Sequence, residues 1–322
     1  MPMLNVRLLG KFSAHYGERV IEGLGTRRPQ ELFCYLLLHR RQQHSREALA
    51  SLLWSDVSTA QSKKCLRHVL WQLQTALSTC ETSDSASILL IEPNWLQINP
   101  QVDLWLDVEI FERAWATTRS IPGRKLDDCQ VQKLKEAIAL YLGDLLEGNY
   151  EDWCQRERER LRSLYLAMLS KLLDYCVARD EYEEGLAYGT RILHEDRTHE
   201  ATYRQLMRLH YKRENRSDAL RLYRECAEAL QEEYCATPDE STQMLYRYIL
   251  NDCNSQQKPP PAVSPDLSQR PTRLLLFDAL SCLKQIQESQ QILQYRIEQK
   301  LSALEQALHP HQNAQHSSVD HP

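Results

Sequence analysis

The sequence predicts a mainly α protein with three parts: an N-terminal winged helix (α+β), an all-α tetratricopeptide-like helical repeat domain, and a C-terminal long helix. Three observations carry this. Residues 1–105 read in the order strand, strand, three helices, hairpin. A helical pattern recurs at an offset of 34 residues between 171–193 and 205–227. A last apolar-periodic segment, 272–308, follows a proline-rich stretch.

Taken in order, Leu4, Val6 and Leu8 alternate with polar neighbours, as a half-buried strand requires. Val20-Ile21 is the expected second strand, after a turn near Gly17. Pro29 sits where an opening helical turn tolerates proline, and ELFCYLLLHR continues that helix to about Arg40. Ser45 is placed to cap a second helix whose apolar face is Leu49, Leu52 and Leu53. A third helix starts after Ser58, with Gln61 in capping-box position, and runs to about Leu77. ILLIEPNWLQI then reads as two short strands about a Glu92-Pro93-Asn94 turn.

The third helix carries the chemistry. Leu66, Val69, Leu70, Leu73 and Leu77 recur at helical spacing and are expected to face the core. The other face presents Lys63, Lys64, Arg67, His68, Trp71 and Gln74. Such a face can lie in a DNA major groove, where Lys and Arg neutralise phosphates or reach guanine edges. The same face can also be no more than a solvated charged surface. Its place after a short helix and before a hairpin favours the first reading, and so does the charge distribution. Residues 1–80 hold eleven Lys and Arg against five Asp and Glu, while 81–108 hold five acids and no Lys or Arg. The overall charge of −5 therefore hides a basic N-terminal segment.

The middle of the chain, 106–253, is almost purely helical in pattern. In the 34-residue alignment Leu172 falls on Leu206, Leu186 on Leu220 and Gly185 on Ala219, the small pair marking where two helices cross closely. Flanking helices are expected at 133–146, 156–178 and 240–250. Residues 254–271 are a proline-rich linker, 272–308 a helix with an apolar stripe from Leu276 to Leu308, and 309–322 a polar tail. The stripe fits either a coiled coil that pairs two copies through 276–308 or an amphipathic helix docked in cis.

Composition excludes several function classes. Only nine of 322 residues are glycine, where average usage gives about 23. No phosphate-cradling glycine motif occurs, which argues against a nucleotide-binding α/β enzyme. No cofactor is expected. No nucleophile–base set can be assembled, so no enzyme activity is expected either. The ten cysteines are spread without a C-x-x-C pair, which fits a reduced cytoplasmic protein with no metal site. Neither a signal peptide nor a membrane-spanning stretch is visible.

The residues also carry a family likeness. The order strand, Pro/Gln helix, LLW, basic helix, hairpin is followed by VDLWLDVEIFERAW, LKEAIALYLGDLLEGNYEDW and RERERL. Over roughly residues 3–252 this resembles the Streptomyces antibiotic regulatory protein (SARP) family, a winged helix joined to a bacterial transcriptional activator domain. The resemblance implies an activator that binds double-stranded promoter DNA, with RNA polymerase as a further partner of the helical domain. It puts Lys63, Lys64, Arg67, His68 and Trp71 on the recognition helix. Arg27, Arg28 and Arg46 become phosphate contacts at helix starts, and Asn94 and Trp95 lie at the wing. Two departures stand out: the recognition helix ends in QLQTAL, where family members carry more arginine, and the wing IEPNWLQ has no Lys or Arg.

Two functions follow as expectations. One is a sequence-specific DNA-binding transcriptional regulator. The other is a tetratricopeptide-like adaptor or scaffold whose winged helix serves only as a packing module. The expected domains are a winged helix at 1–105 and an activator domain at 106–253.

Overall fold

The computed structural model describes residues 3–78 and 87–251. The linker, the C-terminal helix and the tail expected beyond 253, and with them the pairing stripe 276–308, lie outside the described residues. Residues 1–242 make one compact unit; of a second, beginning at Gln243, residues 243–251 are described.

Strand β1 (Leu4–Arg7) buries Leu4 and Val6 and turns Arg7 to solvent, the alternation its sequence demands. Its antiparallel partner is β2 (Ser13–Tyr16), with Leu4 opposite Tyr16. The strand expected at Val20-Ile21 is the short β3 (Arg19–Val20), which pairs with β2 around the positive-φ turn at Gly17. Thus β2 intervenes between the two expected strands. Its four residues bury only Ala14 and Tyr16, too short a run to announce a period. On the far side of β1, β7 (Leu104–Leu106) pairs in parallel, giving the order β3-β2-β1-β7.

Helices α1 (Arg27–Leu38), α2 (Arg46–Leu53) and α3 (Thr59–Ser78) follow. Leu32, Phe33, Leu36 and Leu37 of α1 are fully buried. Helix α2 starts at Ser45 as expected, but the serine side chain makes no cap bond. Gln61 closes no capping box with Ser58: its Nε2 lies 3.9 Å from Cys65 Sγ, one turn along the helix. The hairpin is present as β5 (Leu89–Ile91) and β6 (Trp95–Ile98), and β4 (His44–Ser45) pairs with β6 to complete a three-stranded wing sheet. The N-terminal part is therefore a winged helix with an additional sheet ahead of it.

The helical part comprises α4 (Asp107–Thr118), a 3-10 turn at Gly123–Lys125, α5 (Asp128–Leu140), α6 (Asp152–Arg179), α7 (Tyr182–Glu195), α8 (Glu200–Lys212), α9 (Arg216–Tyr234) and α10 (Glu240–Asn251). Asp127 and Gln130 form a reciprocal capping box at the start of α5. The pairs α6–α7 and α8–α9 are the two repeats. Their tight turns place Asp180 (φ 59°) and Glu214 (φ 62°) in the left-handed region, 34 positions apart. Leu172 and Leu206 are both buried, as are Gly185 and Ala219. A Cβ on Gly185 would stand 2.8 Å from Leu209 Cδ1 and 3.3 Å from Cys176 Cβ, so the neighbouring helices pack closely over the small residue.

The helix expected at 133–146 ends at Leu140. Residues beyond it lie across the end of β1: Leu9 and Leu145 form an antiparallel bridge, Gly10 N donates to Asp144 O at 2.9 Å, and Leu146 N donates to Leu8 O at 2.9 Å. Tertiary pairing thus takes the backbone groups that a longer helix would have used. The Arg158 guanidinium of α6 fixes this loop by donating to the carbonyls of Leu145, Leu146 and Asn149.

One apolar core runs from β1 and α1 through α4 and α5 into α6 and α7. Asp107 ties the two parts at their boundary. It is 1% exposed, and its Oδ2 accepts from Leu8 N and Leu9 N at 2.8 Å each, while Oδ1 accepts from Val108 N at 2.7 Å. Burial raises its pKa, and the three amides work against that rise.

Candidate nucleic-acid interface

Helix α3 divides along its length as its spacing predicts. Leu66, Val69, Leu70, Leu73 and Leu77 are buried. Lys63, Lys64, Arg67, His68, Trp71 and Gln74 are exposed. Each i, i+3, i+4, i+7 step returns to one face, so Lys64, Arg67, His68 and Trp71 form a continuous stripe. The cations occupy the first half of that stripe. The second half is aromatic, with His68 and Trp71 stacked at a centroid distance of 6.2 Å and an interplanar angle of 24°.

The wing tip reaches the start of α2. Arg46 N donates to Asn94 O at 3.0 Å, and its guanidinium lies 3.4 Å from Glu92 O. Ser45 stands opposite Trp95 in the β4–β6 pairing. These contacts leave an open groove of about 830 Å³, lined chiefly by Ser45, Arg46, Glu47, Lys63, Arg67 and Asn94. The predicted residues Arg46, Lys63, Arg67 and Asn94 are thereby brought together, although α2, α3 and the wing are separate in the chain. Lys64, His68 and Trp71 continue along α3, and Trp95 is half-buried behind the tip.

Not every cation here is available to a ligand. Lys63 Nζ pairs with Glu47 Oε1 at 2.5 Å, which holds the Glu47 carboxyl below its usual range. Lys64 and Arg67 have no ion-pair partner among the described residues.

Arg27 and Arg28, the expected phosphate contacts at the start of α1, are ion-paired within the chain. Arg27 Nε donates to Glu31 Oε1 at 2.7 Å and Arg28 Nη1 to Glu31 Oε2 at 2.8 Å. Both also reach Glu151 Oε1 at 3.0 Å, at the residue just before α6. Neither lines the groove. Sequence reading overlooks both acids. Glu31 is within its reach, since it lies three and four positions after the arginines, the helical ion-pair spacing. Glu151 lies more than a hundred positions away and leaves no local signal. A second clasp joins Arg40 to Glu109 of α4 at 2.5 Å.

Elsewhere, Cys176, Glu181 and Glu184 bring their ligand-type atoms within 4.8 Å of one another. Their partners are internal: Cys176 Sγ donates to Glu181, and Lys135 pairs with Glu184 at 2.5 Å. Burial pushes the Cys176 thiol up to about 12, away from the thiolate that binds metals. No helix among the described residues is long and apolar enough to cross a membrane.

Residues 106–250 match the family model of the bacterial transcriptional activator domain. No curated protein sequence matches the chain. Among solved structures, the chain is similar to Mycobacterium tuberculosis EmbR in complex with a low affinity phosphopeptide. The TM-score is 0.59 at 17% identity, over 81% of this chain and 67% of that one. At that identity the likeness is one of fold.

Proposed function

Because the chain is SARP-like in build, a winged helix followed by a bacterial transcriptional activator domain, we propose that it regulates transcription by binding promoter DNA in a sequence-dependent way. The observation that carries this reading is the exposed stripe Lys64–Arg67–His68–Trp71 on α3, beside a groove that α2 and the wing tip close. In a major groove this helix would set Lys64 against phosphate and Arg67 against phosphate or a guanine edge. Arg46 and the exposed amide groups at Asn94 would meet the flanking backbone. Arg27 and Arg28 would hold the winged helix against α6.

Residues 1–105 would be the DNA-binding domain and 106–253 the activator domain, the latter offering its helical pairs to RNA polymerase. The wing tip brings no cation. Affinity therefore depends on α3, and two copies on adjacent half-sites, paired through 276–308, would raise it. No reaction is assigned to the protein.

The test is affinity selection of genomic fragments by the full chain, followed by binding measured against salt. Recovery of a common sequence with steeply salt-dependent affinity supports the reading. Failure to retain any fragment, with capture of a protein partner, would favour the adaptor function instead.

A further inference from the structure

Trp71 is the largest exposed apolar side chain on the proposed recognition face, with 62% of its surface open. Three features set it apart from a chance exposure. It continues the stripe of Lys64, Arg67 and His68 at helical spacing, so a duplex held by the two cations must pass it. Its ring lies nearly parallel to the His68 imidazole, which orders a flat apolar shelf two helical turns after Lys64. Its neighbours on the exposed side, Gln74 and Thr75, are neutral, and Thr75 Oγ1 already donates to Trp71 O at 2.9 Å. This half of the helix carries no Lys or Arg, but it does have a surface suited to an apolar group.

The major groove presents one such group, the C5-methyl of thymine, which distinguishes T·A from every other pair by contact rather than by hydrogen bonding. We infer that Trp71, steadied by His68, is a specificity-determining residue that reads a thymine methyl in the half-site bound by α3. The inference rests on the DNA-binding reading above and adds the chemical group that is read. It also gives the QLQTAL end of the helix a role: the cations stop where methyl recognition begins.

The experiment uses the full chain and a duplex selected from a random-sequence pool by that chain. Each thymine of the selected site is replaced in turn by uracil, which removes only the methyl, and affinities are measured for the wild type and for Trp71→Ala. Removal of the methyl that Trp71 touches should weaken the wild type roughly fourfold, the worth of one buried carbon, and should not affect Trp71→Ala at that position. Trp71→Ala should bind more weakly than wild type at every salt concentration, with an unchanged dependence on salt, since every phosphate keeps its cation. As an exposed residue, Trp71 can be truncated without unfolding the chain, and an unchanged thermal transition verifies this.

If uracil costs both proteins equally at every thymine, or if Trp71→Ala lowers the salt dependence, the inference is overturned while DNA binding stands. Unchanged DNA affinity accompanied by failure to activate transcription would also overturn it and would point to a protein partner at this shelf. A pool that yields no preferred sequence would overturn the DNA-binding reading itself.

Discussion

Arg28 Nη1 donates to Glu151 Oε1 at 3.0 Å, joining the first turn of α1 to the residue just before α6. The same guanidinium nitrogen reaches Glu31, which is 2% exposed and also receives Arg27. One buried carboxylate and one partly buried carboxylate thus share two arginines across the junction of the winged helix with the helical part. Arg28 also lies over the Trp54 ring at 5.7 Å, so its position is fixed on a second side.

The arrangement makes Arg28 a stability residue. Arg28→Ala leaves Glu31 with one partner fewer in a buried site, and the expected loss is about 1–3 kcal/mol. Arg27→Ala should cost less, about 1 kcal/mol or below, because its side chain is mostly exposed. Chemical denaturation of the two variants measures both. DNA affinity should change little in either; a selective drop in affinity at unchanged stability would instead support the phosphate role expected from the sequence.

Gly123 lies against the backbone of α6. A Cβ there would overlap Lys171 O and would stand 2.5 Å from Asp174 Cβ. Gly123→Ala is expected to destabilise by about 1–3 kcal/mol, since a helix backbone must move to admit it. Gly25 is the control, with nothing within 4 Å of its added Cβ, and Gly25→Ala should be neutral or slightly stabilising in the same thermal unfolding assay.

Asp107→Asn replaces an acceptor of three buried amide hydrogens by a group with a single acceptor oxygen. At least one amide of the Leu8, Leu9 and Val108 set then loses its partner, at an expected cost of about 1–3 kcal/mol. Denaturant midpoints at neutral pH test this. Hydrogen exchange should place the loss among the amides that Asp107 holds, those of Leu8, Leu9 and Val108.

His39 packs on Tyr35 at 4.6 Å between ring centroids, and burial lowers its pKa from 6.5, with His44 and Arg160 adding to the fall and Glu157 and Glu112 opposing it. A depressed histidine pKa means that the folded state prefers the neutral ring. Its stabilising contribution is therefore full above pH 6.5 and declines as pH falls through 6.5 toward the folded-state value. Stability measured from about pH 7.5 to about pH 5 should decline in the wild type. The decline should be shallower in His39→Gln; equal slopes would exclude His39 as a source. His210, whose pKa burial also lowers, leaves a residual slope in the variant.

The parts of the fold legible in the sequence are those with enough residues to show a period. Helix α3 has 20 residues and an unbroken apolar face, and the repeat shows itself twice in sequence, Leu172 with Leu206 and Gly185 with Ala219. Strands β2, β4 and β7, of two to four residues, are made by partners rather than by pattern. Residues 141–146 continue the local helical spacing of α5. The end of β1 and Arg158 of α6, both outside that local pattern, supply the hydrogen bonds that draw them off. The candidate site divides in the same way. The stripe on α3 is a local property and can be read directly. The engagement of Arg27 and Arg28 depends on Glu151, which no local pattern connects to them.

The most direct measurement is the salt dependence of binding to the selected duplex for the wild type and for Lys64→Ala/Arg67→Ala. If α3 is the recognition helix, the double variant should bind far more weakly, and its log–log salt slope should be smaller by roughly one for each phosphate left without its cation. Unchanged affinity and slope in a folded double variant would show that DNA, if bound, is held by another surface.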